Sequence, residues 1–199
     1  MKKILCFGDS NTYGFIAGDG GRYDKNTRWT GLLQQKLVPD YEIIEAGCNN
    51  RNGFIEHPDG DDHTGYKVLP KYLKQNPDIV IIAIGINDIQ KFYKPTLNTI
   101  SDGLISMIKT IKTAQIILIA PPVLHDNILD GMFSFQFDKE SIETSKYLPE
   151  LYKTIAKDTG CHFFDFNNEI KLSDKDGLHY PPESHKYIAD KLADFIMTL

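Results

Sequence analysis

Short apolar segments recur along the chain at wide intervals. Five of them are rich in β-branched or aromatic side chains, and the middle ones show no alternation of polar and apolar positions. Such runs are typical of strands that are buried on both faces of a sheet. The five predicted strands are Ile4–Phe7, Glu42–Ala46, Ile79–Ile84, Ile116–Ala120 and His162–Phe166.

Segments with helical periodicity lie between these strands. Their apolar side chains recur every three or four residues, which places them on one face of a helix. Strands that alternate with helices predict a parallel sheet with helices on both faces, joined by right-handed crossovers. The predicted helices contain the stripes Trp29–Leu37, Ile100–Ile111, Leu148–Ala156 and Ile188–Ile196, with a shorter helix over Tyr66–Leu73.

The connections between these elements are uneven in length. No repeat, low-complexity segment or linker interrupts the chain, so residues 1–199 are predicted to form one domain. Three irregular stretches, Gly14–Asn26, Cys48–Thr64 and Pro121–Lys139, are longer than ordinary connections. Loops of that length in a compact domain are usually functional or mobile.

The charge composition narrows the range of partners. The chain has 22 Lys and Arg residues against 27 Asp and Glu, a formal net charge of −5, and no block of basic residues. A nucleic-acid groove needs a basic stripe, so we expect no nucleic-acid partner. Small-molecule and neutral polymeric partners remain open.

The lengths of the apolar runs and the spacing of the cysteines indicate where in the cell the protein is expected. The apolar run before Gly8 is shorter than the roughly 7–15 residues of an export signal, and no run is long enough to span a bilayer. The three cysteines, Cys6, Cys48 and Cys161, form no Cys-x-x-Cys pair and suggest free thiols. We therefore expect a cytoplasmic protein without membrane insertion, in which Cys6 and Cys161 are buried and inert.

Polar residues follow the predicted strands. Ser10 comes after the first strand, Gly47 after the second and Asn87 after the third, while Asp176 and His179 come after the fifth. Ligands bind to parallel sheets at the carboxyl ends of the strands, where the following loops meet. The sequence therefore predicts that a serine, an acid, a histidine and hydrogen-bond donors converge at one edge.

These residue types suit nucleophilic catalysis. A serine hydroxyl becomes a good nucleophile when a histidine takes its proton, and a carboxylate orients that histidine. Ser10 and His179 fit these roles, with Asp176 three residues before the histidine. The backbone amides of Ser10 and Gly47, with the side-chain amide of Asn87, could hold an oxyanion.

Plainer structural interpretations compete with these assignments. Ser10 alone could be a helix N-cap, and Asn87 could shape a turn. Asp165 stands at the end of the fifth strand and competes with Asp176 for the role of the acid. The convergence favours catalysis, and the spacing to His179 favours Asp176.

Four short blocks of the chain resemble those of the SGNH (GDSL-type) hydrolases. They are FGDSN, the glycine of EAGCNN, GIND and DGLH, in the family's order over nearly the whole chain. Each block is weak alone, but four in order, each after its own strand, form a specific pattern. The segments RWTGLLQQKL and YEIIEAG, with the later PP and FFDF, are similar to the arylesterase and acetylesterase branch. Asn11 replaces the leucine of the family's GDSL block.

The resemblance implies both a fold and an activity. The fold is a three-layer α/β/α sandwich around a flavodoxin-like parallel five-stranded sheet. The activity is that of a serine esterase for short-chain acyl esters, acetyl or aryl, including acetylated carbohydrates, without a metal or cofactor. Ser10 is then the nucleophile, Asp176 and His179 are the acid and base, and Gly47 and Asn87 join Ser10 as oxyanion donors. Arylesterase-type relatives often assemble, which makes a homo-oligomer an expectation as well.

Three aromatic residues are predicted to line the acyl pocket, namely Phe15, Phe92 and Phe133.

The segment EHPDGDDHTG, residues 56–65, contains two histidines and three aspartates. Its spacing matches neither an EF-hand nor a zinc motif, so we expect a solvated loop that overhangs the site.

Two other functions remain open for the same scaffold. If the loops exclude water, an alcohol could intercept the acyl-enzyme, and the enzyme would be an acyltransferase. A non-catalytic carbohydrate- or nucleotide-binding domain is the alternative from a different class, because a fold does not determine a function.

Overall fold

The computed structural model describes residues 1–199 and contains one parallel sheet of five strands. The strand order is β2-β1-β3-β4-β5, the order of flavodoxin-like folds, as predicted. Each predicted strand is confirmed with its ends shifted by at most two residues. The strands are β1 Lys2–Gly8, β2 Tyr41–Gly47, β3 Ile79–Ala83, β4 Gln115–Ile119 and β5 His162–Phe164.

Seven α-helices surround the sheet, and none is long and apolar enough to cross a membrane. The five predicted helices are present, whereas α1 and α5 carry no apolar stripe and were not predicted. α5 begins instead at a capping box, in which Asp138 and Ser141 exchange side-chain and backbone hydrogen bonds. The helices are α1 Ser10–Tyr13, α2 Trp29–Leu37, α3 Gly65–Leu73, α4 Leu97–Thr110, α5 Lys139–Ser145, α6 Leu148–Thr159 and α7 Pro182–Ile196.

The core lies on both faces of the sheet. Leu5 and Phe7 of β1 face α3, α4 and α6, whereas Ile4 and Cys6 face α2 and α7. This double burial explains why the central strands show no polar alternation. Cys6 is buried as predicted, but Cys161 precedes β5 rather than lying inside it and is only half-buried.

The central position of β1 in the sheet determines where the candidate site lies. Gly8 at its carboxyl end pairs with Gly47 of β2 on one side and with Ala83 of β3 on the other. The chain order of the strands reverses here, and parallel sheets form their ligand crevice at such a point. The loops that follow these three strands therefore open onto one crevice.

Candidate active site

Ser10 is the first residue of α1, directly beyond the end of β1. Asp9 is the N-cap of this helix, and its carboxylate accepts the Asn11 N–H at 2.9 Å. The capping role that competed for Ser10 therefore belongs to Asp9. The Ser10 hydroxyl lies 2.9 Å from Nε2 of His179.

Ser10, His179 and Asp176 form one continuous hydrogen-bonded chain. Nδ1 of His179 is 2.7 Å from Oδ2 of Asp176, and both side chains are almost completely buried. Asp176 Oδ1 accepts the backbone N–H groups of Leu178 and His179 at 3.1 and 3.0 Å. These bonds fix the orientation of the carboxylate, so its other oxygen faces the imidazole.

The electrostatics around Asp176 keep its carboxyl group ionised. Burial acts to raise its pKa, but the interactions with the His179 imidazole and with the backbone N–H groups of Leu178 and His179 together hold the pKa below the usual value. An ionised Asp176 accepts a hydrogen bond from Nδ1–H of His179. Nε2 then carries no proton and can accept the hydrogen bond of the Ser10 hydroxyl. The competing acid, Asp165, instead accepts the backbone and side-chain N–H groups of Asn167 at 3.0 and 2.7 Å.

Asn11 holds the segment that carries His179. Its Nδ2 donates to the Leu178 carbonyl at 3.2 Å, and its Oδ1 accepts the Tyr180 N–H at 3.0 Å. These bonds tie α1 to the backbone on both sides of the histidine. The sequence interpretation noted only that Asn11 replaces the leucine of the GDSL block, and it missed this role.

Asn87 begins a single 3₁₀ turn, Asn87–Ile89, just beyond β3. Its Nδ2 donates to the Arg51 carbonyl at 3.0 Å, and its Oδ1 accepts Nε2 of Gln90 at 3.1 Å. The second hydrogen of Nδ2 has no acceptor among these contacts. Asn87 therefore retains one N–H that can serve an oxyanion.

Gly47 and Ser10 were the other predicted oxyanion donors. The Ser10 N–H lies in the first turn of α1, where no intrahelical acceptor exists. A Cβ atom at Gly47 would overlap the backbone of Thr12 and Tyr13. Close approach of β2 to α1 therefore accounts for this glycine, and its role as an oxyanion donor stays a prediction.

Two buried charged residues brace the loop after β2, and the role of Arg51 was not foreseen from the sequence. Arg51 donates to the carbonyls of Gly8 and Ala46 at 3.1 and 2.6 Å, which pins the ends of β1 and β2 together. Asp88 accepts three consecutive backbone N–H groups at 2.6, 2.7 and 2.9 Å, those of residues 53–55. Burial raises the pKa of Asp88 to about 6, with these N–H groups opposing the rise.

Two of the three predicted pocket aromatics lie against the imidazole of His179. The ring centroids of Phe15 and Phe133 are 4.4 and 5.1 Å from that of His179, and 6.0 Å from each other. Phe92 does not join them: it is 62% exposed, and its ring lies beside the Lys91 ammonium group. The long loops after α1 and β4 therefore supply an apolar wall from Phe15 and Phe133.

The segment 56–65 is more enclosed than predicted. His57 is buried, its N–H donates to the Thr64 hydroxyl at 3.0 Å, and its Nε2 lies 2.9 Å from Nδ2 of Asn50. The expectation of a solvated loop is therefore wrong for His57. No group of three His, Cys, Asp or Glu side chains lies close enough together to hold a metal ion.

Comparison with known proteins shows similarity over the whole chain. An aryl esterase from M. smegmatis is 28% identical over 100% of both chains, with a TM-score of 0.87. A carbohydrate acetylesterase from Sinorhizobium meliloti is 29% identical over 100% of this chain and 99% of its own, with a TM-score of 0.88. No curated protein matches the sequence significantly. Residues 6–187 match the model of the GDSL-like lipase/acylhydrolase family, and the protein therefore belongs to this family of ester hydrolases.

Proposed function

We propose that this hydrolase is a serine esterase for small acyl esters, with Ser10 as the nucleophile. The observation that carries the proposal is the unbroken hydrogen-bond chain from Asp176 through His179 to Ser10. Each member of the chain has the partner that its role requires, and the three come from two segments far apart in sequence.

The reaction proceeds through an acyl-enzyme. As Ser10 Oγ bonds to the ester carbonyl carbon, His179 Nε2 takes the hydroxyl proton and the carbonyl electron pair moves onto oxygen. The N–H groups of Ser10 and Gly47 and the Asn87 amide hold that oxyanion. The intermediate then expels the alcohol, which leaves with the proton from His179. Water attacks the acyl group in the same way and releases the carboxylic acid and free Ser10.

The surroundings of His179 support a short acyl group. Phe15 and Phe133 form an apolar wall beside the imidazole, which suits a methyl or short alkyl chain. An apolar slot discriminates by only about 1–3 kcal/mol per methylene, so we expect a graded preference for acetyl esters. The names of the two structural relatives support aryl esters and acetylated carbohydrates as the candidate substrates.

Acyl transfer is a second candidate, because the site is enclosed. Ser10 is only 5% exposed, and the two aromatic rings lie against His179. Such shielding slows attack by bulk water on the acyl-enzyme and favours an alcohol that binds in the site. Product analysis with added alcohol distinguishes the two reactions, since transfer yields a new ester and hydrolysis yields the free acid.

A panel of esters with matched serine variants tests the proposal. Wild-type enzyme should hydrolyse p-nitrophenyl acetate and acetylated sugars, with rates that fall as the acyl chain lengthens. Ser10→Ala should lose about 10⁴-fold or more in kcat with its fold intact. Ser106→Ala, at an exposed serine of α4, should leave kcat unchanged. Activity retained in Ser10→Ala would remove Ser10 from the mechanism.

A further inference from the structure

We infer that Gln90 is a positioning residue that aims the Asn87 amide at the oxyanion. The inference rests on the oxyanion role of Asn87 in the proposed function. Gln90 directly follows the 3₁₀ turn that begins at Asn87, and it is only 2% exposed. Residues three apart on a 3₁₀ turn are eclipsed, so the Gln90 side chain lies beside that of Asn87.

The donors and acceptors around the two amides allow one arrangement. The Arg51 carbonyl can only accept, so the nitrogen of Asn87 must face it, at 3.0 Å. Asn87 Oδ1 then needs a donor, and Nε2 of Gln90 supplies one at 3.1 Å. The other hydrogen of Gln90 Nε2 is directed to Oδ1 of Asn50 at 2.8 Å. Gln90 is thus fixed between two acceptor oxygens.

This arrangement matters because the terminal torsion of an asparagine is only weakly restrained. The Arg51 carbonyl holds the nitrogen of Asn87, and Gln90 holds its oxygen away from the developing negative charge. Donation into a carbonyl oxygen also polarises the amide, which strengthens its remaining N–H as a donor. Loss of Gln90 should therefore weaken oxyanion stabilisation without removing it.

The support for Gln90 extends into the loop after β2. Asn50 has a left-handed backbone with a φ of 57°, and its Oδ1 also accepts Nε2 of Gln136 at 3.3 Å. Its Nδ2 is hydrogen-bonded to the buried imidazole of His57 at 2.9 Å. The orientation of the Asn50 oxygen toward Gln90 is therefore held from both sides.

The first test replaces Gln90 with methionine, which fills a similar volume without a hydrogen-bond donor. For p-nitrophenyl acetate we expect kcat to fall about tenfold and KM to stay unchanged, since the lost interaction matters in the transition state. Gln34→Met is the matched control, because Gln34 is a half-buried glutamine of α2 that bonds to the backbone of β2 at Tyr41 and Ile43. That variant should lose stability and keep kcat.

A double-mutant cycle shows whether Gln90 acts through Asn87. Asn87→Ala should itself lower kcat by about 10²–10³-fold. In that background Gln90→Met should cause no further loss, because no amide remains to be positioned. An equal loss in both backgrounds, or an unchanged kcat in Gln90→Met alone, overturns the inference. An unchanged kcat in Asn87→Ala would instead contradict the oxyanion part of the proposed function.

A glutamate at the same position gives a test that does not depend on the methionine variant folding. In Gln90→Glu an ionised carboxylate faces two acceptor oxygens, whereas a protonated one can donate to Asn87 Oδ1. The ratio of variant to wild-type kcat should therefore rise as the pH falls. A ratio that is independent of pH would mean that Gln90 serves only as packing, and the inference would be wrong.

Discussion

At the scale of single residues, the hydrogen bonds of Asp176 determine where the protons of the site lie. Its Oδ1 is occupied by two backbone N–H groups, so Oδ2 alone faces Nδ1 of His179. An ionised oxygen requires a proton on Nδ1, and a neutral imidazole then has a free lone pair on Nε2. That lone pair faces the Ser10 hydroxyl at 2.9 Å.

The variant Asp176→Asn should reverse this arrangement. The backbone N–H groups will still bind the side-chain oxygen, so the new amide nitrogen must face His179 Nδ1. Nδ1 then has to accept, the proton moves to Nε2, and His179 can no longer take the proton of Ser10. We expect kcat at neutral pH to fall by about 10⁴-fold with little change in melting temperature. A kcat near that of wild type would show that Asp176 does not orient the base.

Much of the candidate site, though not all of it, could be predicted from sequence. Ser10, Asp176 and His179 follow strand ends in short blocks, and the structure brings them together. Asn11, Arg51 and Gln90 gave no such signal, because their roles depend on contacts made only after folding. The bond between Asn11 and Leu178, for example, joins residues 167 positions apart. Arginine is also rarely buried in proteins, so the sequence alone would place Arg51 at the surface.

At the scale of secondary-structure elements, apolar patterning accounts for what could be predicted. The five strands carry continuous apolar residues, and the five longer helices carry periodic ones. Because strands and helices alternate along the chain, a parallel sheet could be predicted. The helix α5 has one large buried apolar residue, Ile142, and depends on its capping box for its start. The burial of His57 could not be foreseen either, since it depends on contacts with Asn50 and Thr64 that form only when the loop after β2 has folded.

The ends of β1 and β2 are held by one buried guanidinium group. Arg51→Met removes two hydrogen bonds from the guanidinium group, one to the Gly8 carbonyl and one to the Ala46 carbonyl, and the Gly8 carbonyl keeps the Cys48 N–H as a donor. We expect the free energy of unfolding in urea to fall by about 3 kcal/mol, since hydrogen bonds to a charged group are lost.

Arg22→Met provides the matched control for this loss. Arg22 forms a more exposed ion pair with Glu45 at 3.0 Å, and its loss should cost less than about 1 kcal/mol. Equal losses in the two variants would mean that Arg51 does not brace the strand ends.

At the scale of the whole molecule, buried ionisable groups make stability depend on pH in opposing directions. Burial raises the pKa of Asp9 to about 7, although the Asn11 N–H and the charge of Arg51 oppose the rise. Its contribution to stability is thus complete below its ordinary value of 3.8 and lost as the pH rises to about 7. Burial lowers the pKa of His185 to about 3, so its contribution is present above 6.5 and lost on acidification.

The variant Asp9→Asn isolates the first of these effects. The asparagine oxygen can still accept the Asn11 N–H, but the side chain no longer titrates. From pH 4 to pH 7 the free energy of unfolding of the variant should increase by a few kcal/mol relative to that of wild type. This figure follows from about 1.4 kcal/mol for each unit by which the pKa of Asp9 is raised. Urea denaturation at several pH values measures this difference. A difference that stays constant with pH would contradict the raised pKa of Asp9.

Covalent labelling with a fluorophosphonate, followed by peptide mass spectrometry, tests the catalytic role of Ser10 most directly. Only an activated serine attacks the phosphorus of the label and displaces its fluoride, so we predict a single adduct on Ser10. This adduct should be absent in Ser10→Ala and form much more slowly in His179→Ala. Ester hydrolysis by an enzyme that carries the adduct on another residue, or on none, would contradict the account.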